Sequence, residues 1–126
     1  MPYIYFNPNP KNQRVGDCVI RSLCKALGKD WEEVYIETAC EGLKYCDMPS
    51  SNYVWGMLLR NHGFRQKAVP AICPACVTVE QFAGDHPEGT FVLACQDHVV
   101  TAVNGNFFDT WDSGNEIVLY YWQTED

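Results

Sequence analysis

Three residues of this chain have side chains that can perform covalent chemistry together: Cys18, His98 and Asp109. A thiolate is a strong nucleophile, an imidazole accepts and returns a proton near neutral pH, and a carboxylate holds the imidazole in one orientation. Cys18 lies in Gly16-Asp17-Cys18-Val19-Ile20-Arg21-Ser22-Leu23-Cys24-Lys25-Ala26-Leu27-Gly28. Val19, Ile20, Leu23 and Leu27 recur at helical spacing, Asp17 is a residue type that caps helix starts, and Gly28 is one that ends helices. The stretch therefore predicts a helix over 17–28 with Cys18 in its first turn, where free N–H groups and the dipole favour a thiolate. The charge of Asp17 opposes that thiolate, so a cationic partner has to come from elsewhere in the fold. Cys24, mid-helix on the apolar face, reads as a packing thiol.

His98 opens a strand-like run to Val103, and a second run follows from Asn106 to Trp111. Asn104-Gly105 between them is a hairpin signal. With the turn centred there, Val103 pairs with Asn106, Val100 with Asp109 and His98 with Trp111. His98 and Asp109 become diagonal neighbours on one face, about 7–8 Å apart at Cα, close enough for an imidazole–carboxylate contact. Asp112 competes for the same role, and both carboxylates also suit a turn beside Ser113-Gly114.

These residues need elements to hold them. Tyr3 to Phe6 is a short aromatic piece, and Asn7-Pro8-Asn9-Pro10 forces an extended path that brings Asn12 and Gln13 towards Cys18. Asp30, with Glu33 three residues on, caps a second helix whose inner face carries Trp31, Val34, Tyr35 and Thr38. Residues 40–50 read as irregular. Ser51 caps a third helix to about His62, with Val54, Trp55, Leu58 and Leu59 as its stripe and Gly63 as its stop. Phe64 to Val69 is a candidate strand, Pro70 to Cys76 a loop, and Thr78 to Phe82 a short capped helix. Thr90–Cys95, His98–Val103, Asn106–Trp111 and Glu116–Trp122 make an antiparallel meander. The expected class is α+β, N-terminal helices packed on a C-terminal antiparallel sheet, in one domain over 1–126.

The order helix-start Cys, strand-start His, then an Asp on the next strand resembles the papain-like cysteine peptidase superfamily. It is nearest to the small bacteriocin-processing branch, in which an Asp-Cys pair opens the helix, and is similar to small papain-like proteins of gut Firmicutes and their phages. The residues that carry the resemblance are Asn12-Gln13-Arg14-Val15-Gly16-Asp17-Cys18, Asp97-His98-Val99-Val100 and Phe108-Asp109-Thr110-Trp111-Asp112. The resemblance implies a papain-like fold, with Cys18 as nucleophile, His98 as base and then acid, and Asp109 as orienting group. It also implies a side-chain amide that joins the Cys18 N–H in holding the oxyanion. Gln13 stands five residues before Cys18 and Asn12 six before, and either amide can serve. The implied activity is that of a cysteine peptidase, deamidase or acyl transferase on a peptide or protein substrate, with no cofactor.

Composition narrows the alternatives. The net charge is −7 and the nine Lys and Arg are scattered, which argues against a nucleic-acid surface. No run of 18 apolar residues suggests a membrane span, and the first residues lack the basic and apolar segments of a secretory signal. Seven cysteines in such a chain suit a reducing cytoplasm. Two other functions stay open. One is a papain-like shell that binds without cutting, for which Val19 beside the thiol is a reason. The other is a zinc-stabilised interaction domain on Cys40, Cys46, Cys73 and Cys76, with His62 or His86 as fillers. The default for Cys73-x-x-Cys76 is two thiols in a surface loop. His86 reads as solvated, and Trp31, Trp55, Trp111 and Trp122 as core or groove wall.

Overall fold

A computed structural model of the chain describes residues 2–69 and 75–124. Among them lie four helices and a six-stranded mixed sheet, so the chain is α+β. The helices are α1 (Cys18–Leu27), α2 (Trp31–Tyr45), α3 (Asn52–Asn61) and α4 (Val79–Asp85). The strands are β1 (Tyr3–Tyr5), β2 (Phe64–Ala68), β3 (Thr90–Cys95), β4 (His98–Val103), β5 (Asn106–Asp109) and β6 (Val118–Thr124), in the order β1-β5-β4-β3-β6-β2.

Alternation along the strands gives the sheet two apolar faces. Val92, Ala94, Val99 and Trp122 pack with Val19, Leu23, Val34, Trp55 and Leu59 of α1, α2 and α3. Phe91, Leu93, Val100, Ala102 and Val118 pack with Val79, Phe82 and Ala83 of α4. The sheet thus lies between three helices and one, and no described helix is long and apolar enough to cross a membrane.

The β4–β5 hairpin has the register that the turn at Asn104-Gly105 predicts: Val103 pairs with Asn106, Ala102 with Phe107 and Thr101 with Phe108. Asn104 and Gly105 both have positive φ, as a tight turn with the twist of its strands requires. Other expectations need correction. The sheet is not wholly antiparallel, because Tyr3–Tyr5 forms a strand parallel to β5, with Tyr5 opposite Asp109. Nor do the last four strands make a meander. With β1 on the free edge of β5, the chain crosses back and β6 pairs with β3 instead.

Residues 40–50 are less irregular than expected, since α2 runs on to Tyr45. Its C-cap is Cys46 in the left-handed region (φ 53), a non-glycine stop that composition does not announce. The loop then folds back so closely that a Cβ at Gly42 would lie 2.6 Å from the Asp47 carbonyl oxygen. Strand β5 ends at Asp109 rather than Trp111, because the Asp109 carboxylate takes the Thr110 N–H and turns the chain away from the ladder. Of the expected caps, Asp30 with Glu33 and Thr78 with Gln81 are present, while Ser51 caps α3 through no side-chain bond.

Candidate active site

The start of β4, the end of β5 and the start of α1 meet at one end of the sheet. Two hydrogen bonds lock α1 there: Ser22 Oγ donates to the Val99 carbonyl (2.9 Å) and Thr101 Oγ1 donates to the Ser22 carbonyl (2.7 Å). Ser22 is one turn beyond Cys18, and Val99 is the neighbour of His98. The fixed pair Ser22–Val99 therefore fixes the thiol against the imidazole.

Cys18 is half-buried and shares a side-chain hydrogen bond with His98. His98 Nε2 lies 2.7 Å from Asp109 Oδ2, which leaves Nδ1 to face the thiol. Asp109 has no solvent exposure and the His98 side chain only 9%. The carboxylate is fully engaged: Oδ2 also accepts from Ser113 Oγ (2.6 Å), while Oδ1 accepts from the Thr110 N–H (2.8 Å) and from Arg21 Nη2 (2.9 Å). Trp111 is not paired in the strand, yet its ring centroid sits 4.9 Å from that of His98 and screens the imidazole.

The electrostatics follow from these contacts. Burial pushes the Cys18 thiol up, but the His98 hydrogen bond, the Val99 N–H and the charges of His98 and Arg21 outweigh it and bring the pKa below the ordinary value. Burial pushes the His98 imidazole down. Its bonds to Asp109 and Cys18 more than reverse this and raise it to about 9. Burial pushes Asp109 up, and His98, Ser113 and Arg21 hold it below the usual carboxylate range. By contrast, burial and nearby carboxylates push Cys24 and Cys95 up to about 12. Cys18 is thus the activated thiol beside a cationic imidazole, an arrangement suited to acyl transfer.

Asp17 departs from its expected role. It precedes α1, but its side chain makes no cap bond. Oδ1 instead lies 2.6 Å from Arg21 Nη1, and Oδ2 accepts from Trp31 Nε1 at 2.9 Å. The cation expected from elsewhere in the fold is His98 on β4, while the charge of Asp17 itself is met by Arg21 on the same helix as Cys18. The Asp17–Arg21 contact was legible as an opposite-charge pair four residues apart on a helix. Ser113 carries no such signal, since a serine four residues past an aspartate is common in turns.

Gln13 is not brought into this set. It is exposed, its backbone N–H is held by Asn9 Oδ1 (3.3 Å) and its carbonyl accepts from Asn7 Nδ2 (3.1 Å). Its side-chain amide has no hydrogen bond among the described residues. Asn12 is likewise exposed, with φ 55. Asp112 accepts from the Gly114 N–H, which leaves the orienting role to Asp109. A cavity of about 160 Å³ opens against the thiol, walled by Gly16, Asp17, Val19, Ile20, Pro49 and Ser50.

Among the described residues no group of three or more His, Cys, Asp or Glu side chains is placed to hold a metal ion. Cys40 and Cys46 are exposed thiols, Cys76 is disulfide-bonded rather than a free loop thiol, and Cys73 lies outside the described residues. His62 Nε2 lies 3.0 Å from Glu37 Oε1. His86 is not solvated as expected: it stacks on Phe82 at 3.8 Å between centroids, and its Nδ1 lies 2.8 Å from the Phe82 carbonyl oxygen.

No family model matches this chain, and neither a curated protein nor a solved structure matches it.

Proposed function

We propose that the protein is a papain-like cysteine hydrolase acting on an amide of a peptide or protein. The observation that carries this reading is the continuous line from the Cys18 thiol through both nitrogens of His98 to a fully buried Asp109. The Cys18 thiolate attacks the carbonyl carbon, and the carbonyl oxygen takes the negative charge. The N–H groups of Cys18, Val19 and Ile20 head α1 without an intrahelical acceptor, and Asp17 does not cap them. They are the available donors for that oxyanion. His98 passes its proton to the leaving amine, which departs and leaves a thioester on Cys18. A water molecule then gives a proton to His98 and attacks the thioester, returning acid and thiolate. An amine in place of water makes the same site a transferase. The cavity against the thiol suits a small uncharged group next to the scissile bond.

A substrate-independent test uses p-nitrophenyl acetate. The reading expects a burst of about one p-nitrophenol per chain, an acetyl group on Cys18 by mass spectrometry, and neither in Cys18→Ala. An undiminished burst in that variant, or acetylation of other residues alone, contradicts it.

The second reading is a papain-like shell that binds a peptide without cutting it. The observation that favours it is the exposed, untethered Gln13 side chain, which leaves the oxyanion to backbone donors alone. Under that reading Cys18 gives no burst.

A further inference from the structure

A carboxylate is an unfavourable neighbour for a thiolate, and Asp17 directly precedes Cys18. An aspartate at a helix start also tends to turn its side chain onto the first free N–H groups. There it would both occupy the donors an oxyanion needs and place its charge beside Sγ. Neither happens: Trp31 Nε1 donates to Asp17 Oδ2 at 2.9 Å, and the charge of the carboxylate is met by Arg21. Its Nη1 holds Asp17 Oδ1 at 2.6 Å and its Nη2 holds Asp109 Oδ1 at 2.9 Å, with the three side chains 4%, 4% and 0% exposed. One guanidinium thus bridges the residue before the nucleophile and the residue behind the base. The planar fork suits this task, since a lysine ammonium is a single point donor and does not present two paired donors in a fixed plane.

We propose that Arg21 is a positioning residue of the catalytic site: it draws Asp17 off the start of α1 and fixes Asp109 against His98, so that the Cys18 end of the helix stays free of negative charge and open to an oxyanion. This inference rests on the Cys18–His98–Asp109 reading. The charged and titratable groups around Cys18 are Asp17 just before its helix, Arg21 on that helix, Cys95 on β3, His98 on β4 and Asp109 on β5. Arg21 touches two of them, and both are anions.

The test is the pH dependence of iodoacetamide alkylation at Cys18, mapped by mass spectrometry, in the whole chain. It compares wild type, Arg21→Gln, Asp17→Asn and the double variant. Alkylation follows the thiolate fraction. Without Arg21, Asp17 loses its cation and Asp109 keeps only that of His98, so the reactive wave moves up by about one pH unit or more and labelling at its foot falls about tenfold. Without Asp17 the wave moves down. The double variant lies above Asp17→Asn and below Arg21→Gln. A purely structural Arg21 predicts something else: both single variants loosen the site and shift the wave the same way. That outcome, or a wave indifferent to Arg21, overturns the inference. If Arg21→Gln does not fold, the double variant against Asp17→Asn gives the same answer, since Asp109 still loses the Arg21 guanidinium. A wild type with no low-pH wave at Cys18 removes the triad reading and this inference with it, whereas a wave that ignores Arg21 removes this inference alone.

Discussion

His98 Nε2 lies 2.7 Å from Asp109 Oδ2, and that carboxylate has no contact with solvent. A buried anion needs compensation, and Asp109 obtains it from His98, Arg21, Ser113 and the Thr110 N–H. The imidazole is therefore held as a cation facing Cys18, and stability and reactivity become coupled through the same bond.

Asp109→Ala removes the anion and leaves Arg21 with one partner in the interior. Breaking a buried ion pair from one side costs about 3–5 kcal/mol. Urea unfolding at pH 7 is expected to show a loss of that size, together with loss of the Cys18 burst. A loss below about 1 kcal/mol would mean that Asp109 is not the anchor its burial implies.

Cys18→Ala isolates the His98–Asp109 pair for a pH test of stability. His98 has a raised folded-state pKa, about 9 in the intact site, against about 6.5 in an unfolded chain. Below about pH 6.5 both states hold the proton and the pair stabilises fully. As the pH rises towards the folded value, the unfolded chain has released its proton while the folded one still holds it, so stability falls. Unfolding free energies measured from pH 5.5 to 9 are expected to decline across that window in Cys18→Ala and to lose that decline in Cys18→Ala/Asp109→Asn, where burial alone acts on His98 and lowers its pKa.

Trp111→Ala probes the cover over His98. Trp111 is 42% exposed, so its truncation costs little folding energy, about 1 kcal/mol or less. Water reaching the imidazole–carboxylate bond weakens it, and a one-unit rise of the Cys18 pKa means roughly tenfold slower alkylation at low pH. The expected result is an almost unchanged melting temperature with a clear loss of reactivity. The opposite pattern would make Trp111 a packing residue only.

Gly42→Ala tests how the loop beside the thiol is seated. The new Cβ meets the Asp47 carbonyl oxygen at 2.6 Å, so the backbone of the loop has to shift. A cost of about 1–3 kcal/mol is expected in thermal or urea melts. The wall formed by Pro49 and Ser50 shifts with it, so acylation by p-nitrophenyl acetate changes while iodoacetamide labelling, which needs only the thiolate, does not.

Much of the site was legible because its chemistry obeys short-range rules. The apolar spacing of α1 placed Cys18 in its first turn, and the Asn104-Gly105 turn fixed the strand register that makes His98 and Asp109 neighbours. The edge strand Tyr3–Tyr5 was not legible. Three residues have little local signal, and their parallel pairing with β5 spans most of the chain. For the same reason the crossing of β6 to β3 escaped an account based on neighbours in sequence. Asp17 misled, since residue type alone gives a cap, and only the tertiary placement of Trp31 and Arg21 turns its carboxylate away.

The most direct measurement is a pH series of iodoacetamide labelling with site mapping on wild type and His98→Ala. The account predicts that Cys18 is labelled well below pH 8.5, ahead of exposed Cys40 and Cys46, while buried Cys24 and Cys95, pushed up to about 12, stay unlabelled. In His98→Ala the advantage of Cys18 disappears. A Cys18 that titrates like an ordinary thiol, with the same profile in both proteins, would contradict the account.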